Sequence, residues 1–460
     1  MSERLVIIGA DAAGMSAASQ ARRRRGPDDL EIVAFDKGNY SSYSACGIPY
    51  LVGNVVDELD RLVVRRPEQF AAKQHITVNL RHEVTEIDLG ARRVRVADLD
   101  DGSERWEPFD QLVYAAGGTP LRPPLEGATS EGIFGVQTLD DGAAIERFIE
   151  NESPRRAAVV GAGYIGLEMA EAFVKRGLEV TLVERDSEPM DTLDPDMGKL
   201  VHEALEGLGV RVRTEESVTG FESEGGRVTG IVTDTAMIPV DIVALGLGTE
   251  PNVGLAESAG IPIGPSGGVV VDRRMRTSRD GVWSAGDCAE KFHLVSRRPV
   301  AIALGTHANK EGRVAGINLG GGYATFPGVV GTAISKVCGL EVAHSGLKED
   351  DAREAGFDIL SVVVESTTRA GYFPGTKPMT TKMIVERRSG RLLGGQILGE
   401  EGAAKRIDVI ATALWNEMTV GEMLNMDLGY APPFAPVWDP VLIAARKASD
   451  RVEATLDEVR

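Results

Sequence analysis

Short apolar runs, each closed by glycine or an acid, set the rhythm of the first half of the chain. Leu5-Val6-Ile7-Ile8 leads directly into Gly9-Ala10-Asp11-Ala12-Ala13-Gly14 and then into the small-residue stretch Met15-Ser16-Ala17-Ala18-Ser19. An apolar run unbroken by polar positions and followed by a turn predicts a strand buried on both faces, with a helix after it. Leu30 to Phe35 predicts the next strand, which ends at Asp36. The same order returns in Ala157-Ala158-Val159-Val160, Gly161-Ala162-Gly163-Tyr164-Ile165-Gly166 and Glu179-Val180-Thr181-Leu182-Val183, which ends at Glu184. Repeated strand–helix–strand units predict an α/β architecture with parallel sheets. Toward the C-terminus the pattern changes. Ile359–Val364, Thr381–Val385 and Leu392–Leu398 read as strands and Ala403–Trp415 as a helix, while the prolines after Tyr430 exclude a regular helix and predict an ordered loop.

Both glycine turns carry the residue types that cradle a pyrophosphate. Gly9 permits the turn, Gly14 permits close packing of helix on strand, and Ala12 and Ala13 open a helix whose N-terminus faces phosphate. The middle glycine of the usual pattern is replaced by Asp11 or Ala12, depending on alignment. Asp36, followed by Lys37, has the spacing of an acid that binds an adenosine ribose. The second turn is complete: Gly161, Gly163 and Gly166, with Tyr164 and Ile165 between them, precede Glu184. That acid suits the free ribose hydroxyls of NADH, and Arg185 beside it offers a partner for a 2′-phosphate, so NADH stands ahead of NADPH with both open. A strand ending at Gly286-Asp287 places a carboxylate where it can accept hydrogen bonds from a flavin ribityl chain. Ala115-Ala116-Gly117-Gly118 and Ala244-Leu245-Gly246-Leu247-Gly248 mark an exit from and a return to the first unit. The expected plan is therefore two Rossmann-like units: a split FAD domain (1–120 and 248–325) with an NAD(P)H domain (121–247) inserted.

Composition narrows the function. A chain of 460 residues is too long for one core, and 43% apolar content suits a globular protein. No uncharged apolar run reaches 18 residues and the N-terminus enters a strand at once, so neither a membrane span nor a signal peptide is expected, and the cytoplasm is the expected location. A net charge of −19 disfavours nucleic acid as a partner, leaving Arg22-Arg23-Arg24-Arg25 as a local basic patch. Cys46, Cys288 and Cys338 form no C-x-x-C pair, and no metal motif is present, so neither a disulfide framework nor a metal is expected.

The stretch Ser41-Ser42-Tyr43-Ser44-Ala45-Cys46-Gly47-Ile48-Pro49-Tyr50, set between two dinucleotide turns, resembles the single-cysteine flavoprotein disulfide reductases, the branch holding coenzyme A disulfide reductase, NADH oxidase and NADH peroxidase. Ala308–Arg313 and Tyr430–Pro440 resemble that branch too. The resemblance implies FAD (at Gly9, Ala12, Ala13, Gly14, Asp36, Lys37, Ala116, Gly117 and Asp287), a nicotinamide nucleotide (at Gly161, Gly163, Tyr164, Ile165, Gly166 and Glu184), and a homodimer built on an α+β dimerisation domain at 326–460. It makes Cys46 the redox-active sulfur, cycling through a mixed disulfide with coenzyme A; Gly47 allows close approach to flavin, and a thiolate at a helix end near an oxidised flavin ring is electrostatically favoured. It makes Tyr430, and less directly Tyr372, proton donors to a departing thiolate. Ser42, Arg22, Arg24, Arg65, Lys73 and Asn309 become candidate ligands of a coenzyme A-type substrate. Ala45 departs from the asparagine common in the branch. Glu168 is expected to orient a flavin-side lysine, His307 is a weaker candidate base, and Cys288 is expected as a small buried residue. The alternatives are an oxidase or peroxidase that takes Cys46 through sulfenic acid, and a flavin redox sensor without turnover.

Overall fold

The computed structural model describes residues 2–458; Met1, Val459 and Arg460, at the ends of the expected first and last segments, lie outside the described residues. Two five-stranded parallel sheets form the first two units. In the first, the strand order is Val282–Ser284, Gln111–Tyr114, Glu3–Ile8, Leu30–Phe35, Ile76–Asn79. In the second it is Arg211–Arg213, Glu179–Val183, Arg156–Val160, Ile242–Leu245, Ile133–Gly135. The predicted strands are central in both, and their side chains are almost wholly buried, because helices cover one face of each sheet and a three-stranded antiparallel sheet (residues 82–108 in the first unit, 218–239 in the second) covers the other. The chain crosses between the units on Gly118–Pro120 and returns on Thr249–Pro251, and these two short strands pair antiparallel.

The first sheet is sealed by two helices more than 280 residues apart, Ala12–Arg22 and Gly305–Leu319. They touch backbone to backbone. A Cβ added at Gly312 would lie 2.2 Å from the Ala13 carbonyl oxygen, and one at Gly316 would lie 2.2 Å from that of Ala17. Ala13, Ala17 and Ala21 form the matching stripe at a spacing of four.

The third unit is an antiparallel sheet, Ala333–Val337, Leu340–Gly346, Leu392–Gly399, Pro378–Glu386, Ile359–Thr367, packed on the helices Ile407–Trp415 and Pro440–Glu458. The three strands expected here are neighbours in it, and the proline-rich segment from Ala431 to Asp439 is irregular. Lys382, 3% exposed, ties this unit to the second one: its Nζ meets Asp194 at 3.0 Å, Asp196 at 2.7 Å and Glu349 at 2.9 Å. Gln396 completes the pin by donating to Asp194 and accepting from its amide. Among the described residues no helix is long and apolar enough to cross a membrane.

Candidate active site

The two dinucleotide turns are built alike. Gly9 has φ +100° and Gly161 φ +92°, and a Cβ on either would collide with the carbonyl of the next strand's exit, Ala115 at 2.1 Å and Gly246 at 2.6 Å. Gly14 and Gly166 let each helix close onto its turn, where a Cβ would sit 1.9 and 2.0 Å from the carbonyl oxygens of Gly9 and Gly161. The acid ending each second strand reaches back to the turn. Asp36 accepts from the amides of Ala10 (2.7 Å) and Gly38 (2.8 Å); Glu184 accepts from those of Ala162 (2.7 Å) and Asp186 (3.0 Å). Each carboxylate is thus locked beside the first turn amide, where a ribose would lie.

Asp11, Asp36 and Asp287 share the groove of the first turn, and burial holds all three carboxyls above the ordinary range, Asp11 at about 6. Oδ1 of Asp287 is buried with no hydrogen-bond partner. Unsatisfied acceptors beside a glycine turn fit a ligand rich in hydroxyl donors, as the ribityl and ribose groups of FAD are. Lys37 lies on the rim, 4.0 Å from Glu83, while Ala116 and Gly117 are held by Asn252 through both carbonyls.

Behind Asp287 lies an ion pair that the sequence does not reveal, although Glu311 falls within the family-like run Ala308–Arg313. Lys291 and Glu311 face each other at 3.7 Å with fully buried side chains. Glu311 accepts from the Gly286 amide (2.8 Å), and Lys291 donates to the carbonyls of Gly286 and Ala289 (both 2.9 Å). The pair grips the Gly286–Ala289 turn from both sides and aims Asp287. Cys288 is wholly buried, its sulfur against the carbonyls of Ala285 and Tyr114.

Cys46 is free and exposed on a short 3₁₀ turn, Ala45–Gly47. Within the chain itself, burial on its inner side, then Glu168, Asp287 and Asp11, push the thiol up; the expected thiolate belongs to the pocket with an oxidised flavin ring beside the sulfur. Gly47 is also required by a different neighbour. A Cβ there would lie 2.2 Å from the end of the Leu62 side chain, so the turn packs on Leu62 as closely as a glycine allows. Glu168 is bonded by the Ser335 hydroxyl at 2.8 Å, not by a lysine, and burial raises its carboxyl. Tyr164 stacks on His344 with its hydroxyl buried and unpartnered, and Ile165 packs on the second unit's core.

The substrate candidates form a band. The Ser42 carbonyl accepts from the amides of Val64 and Arg65, Arg65 stacks on Phe70, and the helix Pro67–Gln74 carries the exposed Lys73. Arg22 docks on this helix end, donating to the carbonyls of Gln74 (2.8 Å) and His75 (3.1 Å). Arg25 pairs with Glu3 and Arg24 with Gln20, so much of the arginine run folds back onto the protein. Asn309 accepts from Ser16 at 2.8 Å. Tyr372 and Tyr430 adjoin at an exposed patch with Phe434, Val437 and Trp438, and partial desolvation, then Tyr372, raise the Tyr430 hydroxyl.

His307 is buried, its Nδ1 unpartnered, and desolvation pushes it down to about 4; His293 is held at about 4 in the same way. Both are neutral near pH 7, and a value near 4 makes His307 a weak base there. Because the folded value lies below the ordinary one near 6.5, the unfolded chain binds protons that the fold refuses, and each histidine's share of stability is lost as pH falls from about 6.5 to about 4. His307→Gln is expected to reduce the slope of unfolding free energy against pH in that window by up to one proton, read from urea titrations at a series of pH values. An unchanged slope would mean that His307 is protonated in the fold.

Among the described residues no three His, Cys, Asp or Glu side chains are grouped to hold a metal. The pyridine nucleotide-disulphide oxidoreductase family model matches residues 3–312, and the model of that family's dimerisation domain matches residues 332–440. An NAD(P)H coenzyme A polysulfide/persulfide reductase of Pyrococcus horikoshii is 36% identical over 97% of this chain and 98% of its own. An NADH oxidase of Methanocaldococcus jannaschii is 35% identical over 97% and 98%. The solved structure of an NAD-dependent persulfide reductase from A. fulgidus aligns with a TM-score of 0.95 and 39% identity, covering 98% of this chain and 84% of that one. Paired glycine turns with their locked acids, a lone exposed cysteine and the antiparallel third unit therefore place the chain in the pyridine nucleotide-disulphide oxidoreductase family, with the dimerisation domain of its homodimers.

Proposed function

We propose that the chain is an FAD-dependent NAD(P)H:disulfide oxidoreductase that reduces coenzyme A disulfide or a coenzyme A persulfide through Cys46. The observation that carries this reading is the free, exposed Cys46 set beside Asp287, Asp11 and Glu168. The printed activity of the P. horikoshii relative supports the choice of acceptor. Bound flavin supplies the passage of electrons from nicotinamide to sulfur. The Cys46 thiolate attacks the substrate disulfide, forming a mixed disulfide and releasing one thiolate; two electrons and one proton then cleave the mixed disulfide into the Cys46 thiolate and the second thiol. Surroundings that disfavour a thiolate suit the uncharged mixed disulfide as the resting form. Tyr430 and Tyr372, which the single chain does not bring to Cys46, serve the sulfur of the opposite subunit and protonate the departing thiolate. Ser42, Arg22, Arg24, Arg65, Lys73 and Asn309 line the path for the anionic substrate. Asp36, Asp287 and the first turn hold FAD; Glu184 holds a nicotinamide ribose, and its fixed charge favours NADH over NADPH. Three free cysteines suit a reducing compartment, and we place the enzyme in the cytoplasm.

The test is anaerobic turnover with NADH and NADPH, offering coenzyme A disulfide, coenzyme A persulfide, peroxide and then oxygen. Fast disulfide- or persulfide-dependent oxidation with NADH preferred is the expected result. Rapid NADH consumption by oxygen or peroxide alone would hand the site to the sulfenic-acid reading, which the M. jannaschii relative keeps in view. Absence of turnover with every acceptor would leave a redox sensor.

A further inference from the structure

Asp11 occupies a place that dinucleotide turns usually give to glycine, so that backbone can approach the pyrophosphate. Its own backbone is extended (φ −114°, ψ −149°), so the turn does not need a glycine there. The side chain does not cap its own helix. Oδ1 accepts instead from the amide of Tyr43 at 3.1 Å, three residues before Cys46, and the adjacent Ser42 amide donates to the Ala10 carbonyl at 3.1 Å. The flavin turn and the cysteine segment are therefore stitched together at Asp11.

The groups facing this carboxyl are mostly acidic. Asp36 approaches from the end of the second strand and Asp287 from the Gly286 turn; Tyr43 and Cys46 face it from the cysteine segment. Lys291, behind the groove, is already matched by Glu311, and Lys37 on the rim acts on Asp36. An incoming pyrophosphate adds two negative charges to a groove in which Asp36 and Asp287 already face Asp11.

We propose that Asp11 makes binding of FAD proton-linked: its carboxyl is charged in the empty turn and takes up one proton as the pyrophosphate enters, so the cofactor is held most tightly at mildly acid pH. The proton cancels the charge that would oppose the phosphates, and the neutral carboxyl gains an O–H able to donate to a phosphate oxygen. The linkage rests on the flavin-binding part of the proposed function and not on the electron acceptor, so it stands or falls separately from the coenzyme A reading. A raised pKa of about 6 puts the window just above that value.

FAD-stripped full-length protein is titrated with FAD between pH 5.5 and 8.5, following flavin fluorescence, for the wild type, Asp11→Asn and Asp11→Gly. The wild-type Kd is expected to rise up to about tenfold per pH unit above pH 6, the limit for one linked proton. Both variants should show a flat profile and bind more tightly than the wild type at pH 8. Calorimetry at pH 7 in buffers of different ionisation enthalpy should show uptake of up to one proton in the wild type and almost none in Asp11→Asn. A flat wild-type profile would overturn the proposal. So would a slope that survives in Asp11→Asn, which would place the linked proton on Asp36 or Asp287. Weaker binding by both variants at every pH would also overturn it, reducing Asp11 to a tether for Tyr43.

Discussion

Cys46→Ser is expected to lower nicotinamide-driven disulfide reduction by at least about a thousandfold while leaving the fold and flavin content unchanged. Serine keeps the shape of the side chain but cannot form a bond to substrate sulfur or accept electrons as a disulfide, so the step through the residue is lost and not merely slowed. The structural cost is small because Cys46 is exposed and sits on a short 3₁₀ turn, outside every buried cluster. Exposed substitutions of this kind fall within about 0.5 kcal/mol. Anaerobic NADH oxidation with coenzyme A disulfide, run beside a thermal melt and a flavin spectrum, separates the two effects. Residual turnover above a few per cent in a fully flavinated variant would route the electrons past Cys46. A collapse of flavin content would assign the residue a structural duty.

The second large effect is expected at the buried pair. Lys291→Met leaves the Glu311 carboxylate without its counter-charge in a fully buried site and removes the donor to the carbonyls of Gly286 and Ala289. Breaking such a pair costs about 3–5 kcal/mol, whereas replacing both charges by apolar groups costs much less. Lys291→Met should therefore lower the denaturation midpoint steeply and shed FAD, since the turn it grips carries Asp287. Lys291→Met combined with Glu311→Leu should recover part of the stability. It should not recover all of it, because the Gly286 amide and two carbonyls remain unpaired. Urea titrations of the wild type, both single variants and the double variant close the cycle. If the double variant is no more stable than Lys291→Met, the cost lies in the lost backbone hydrogen bonds and not in the stranded charge.

Much of the nucleotide machinery was legible in the sequence because it is local. A strand, a glycine turn and an acid some twenty residues later write both the fold and the ribose contact, and Asp36 and Glu184 stand at matching positions in three dimensions. The third unit's strands were readable from runs such as Ile359–Val364, where alternate burial and β-branching coincide. What stayed hidden is what distant segments do to one another. Lys291 and Glu311 look like surface charges in the sequence, and only packing reveals that both point inward. Leu62 takes the space beside Gly47, Ser335 reaches Glu168 from another domain, and Lys382 gathers acids from two units. The arginine run shows the same thing from the other side: Arg22 and Arg25, which look free in the sequence, already hold nearby carbonyls and Glu3. The burial and the three carboxyls that push the Cys46 thiol up come from segments far apart in the chain and were not legible either.

The backbone-to-backbone weld between Ala12–Arg22 and Gly305–Leu319 also dictates an order of events on the ribosome. The second sheet lies between Ile133 and Leu245 and is complete once that stretch has emerged, whereas the first sheet still lacks the edge strand Val282–Ser284 and the helix that must press Gly312 and Gly316 against Ala13 and Ala17. Contacts so far apart in the chain close late. The inserted unit is thus the first to become native, and the N-terminal segment waits beside it with its alanine stripe uncovered while about 75 further residues are made, at synthesis rates a wait of roughly four to fifteen seconds. During that interval the nascent chain's vulnerability to chaperone capture and aggregation resides in its oldest residues, and the first cofactor to find a finished site is the nicotinamide nucleotide.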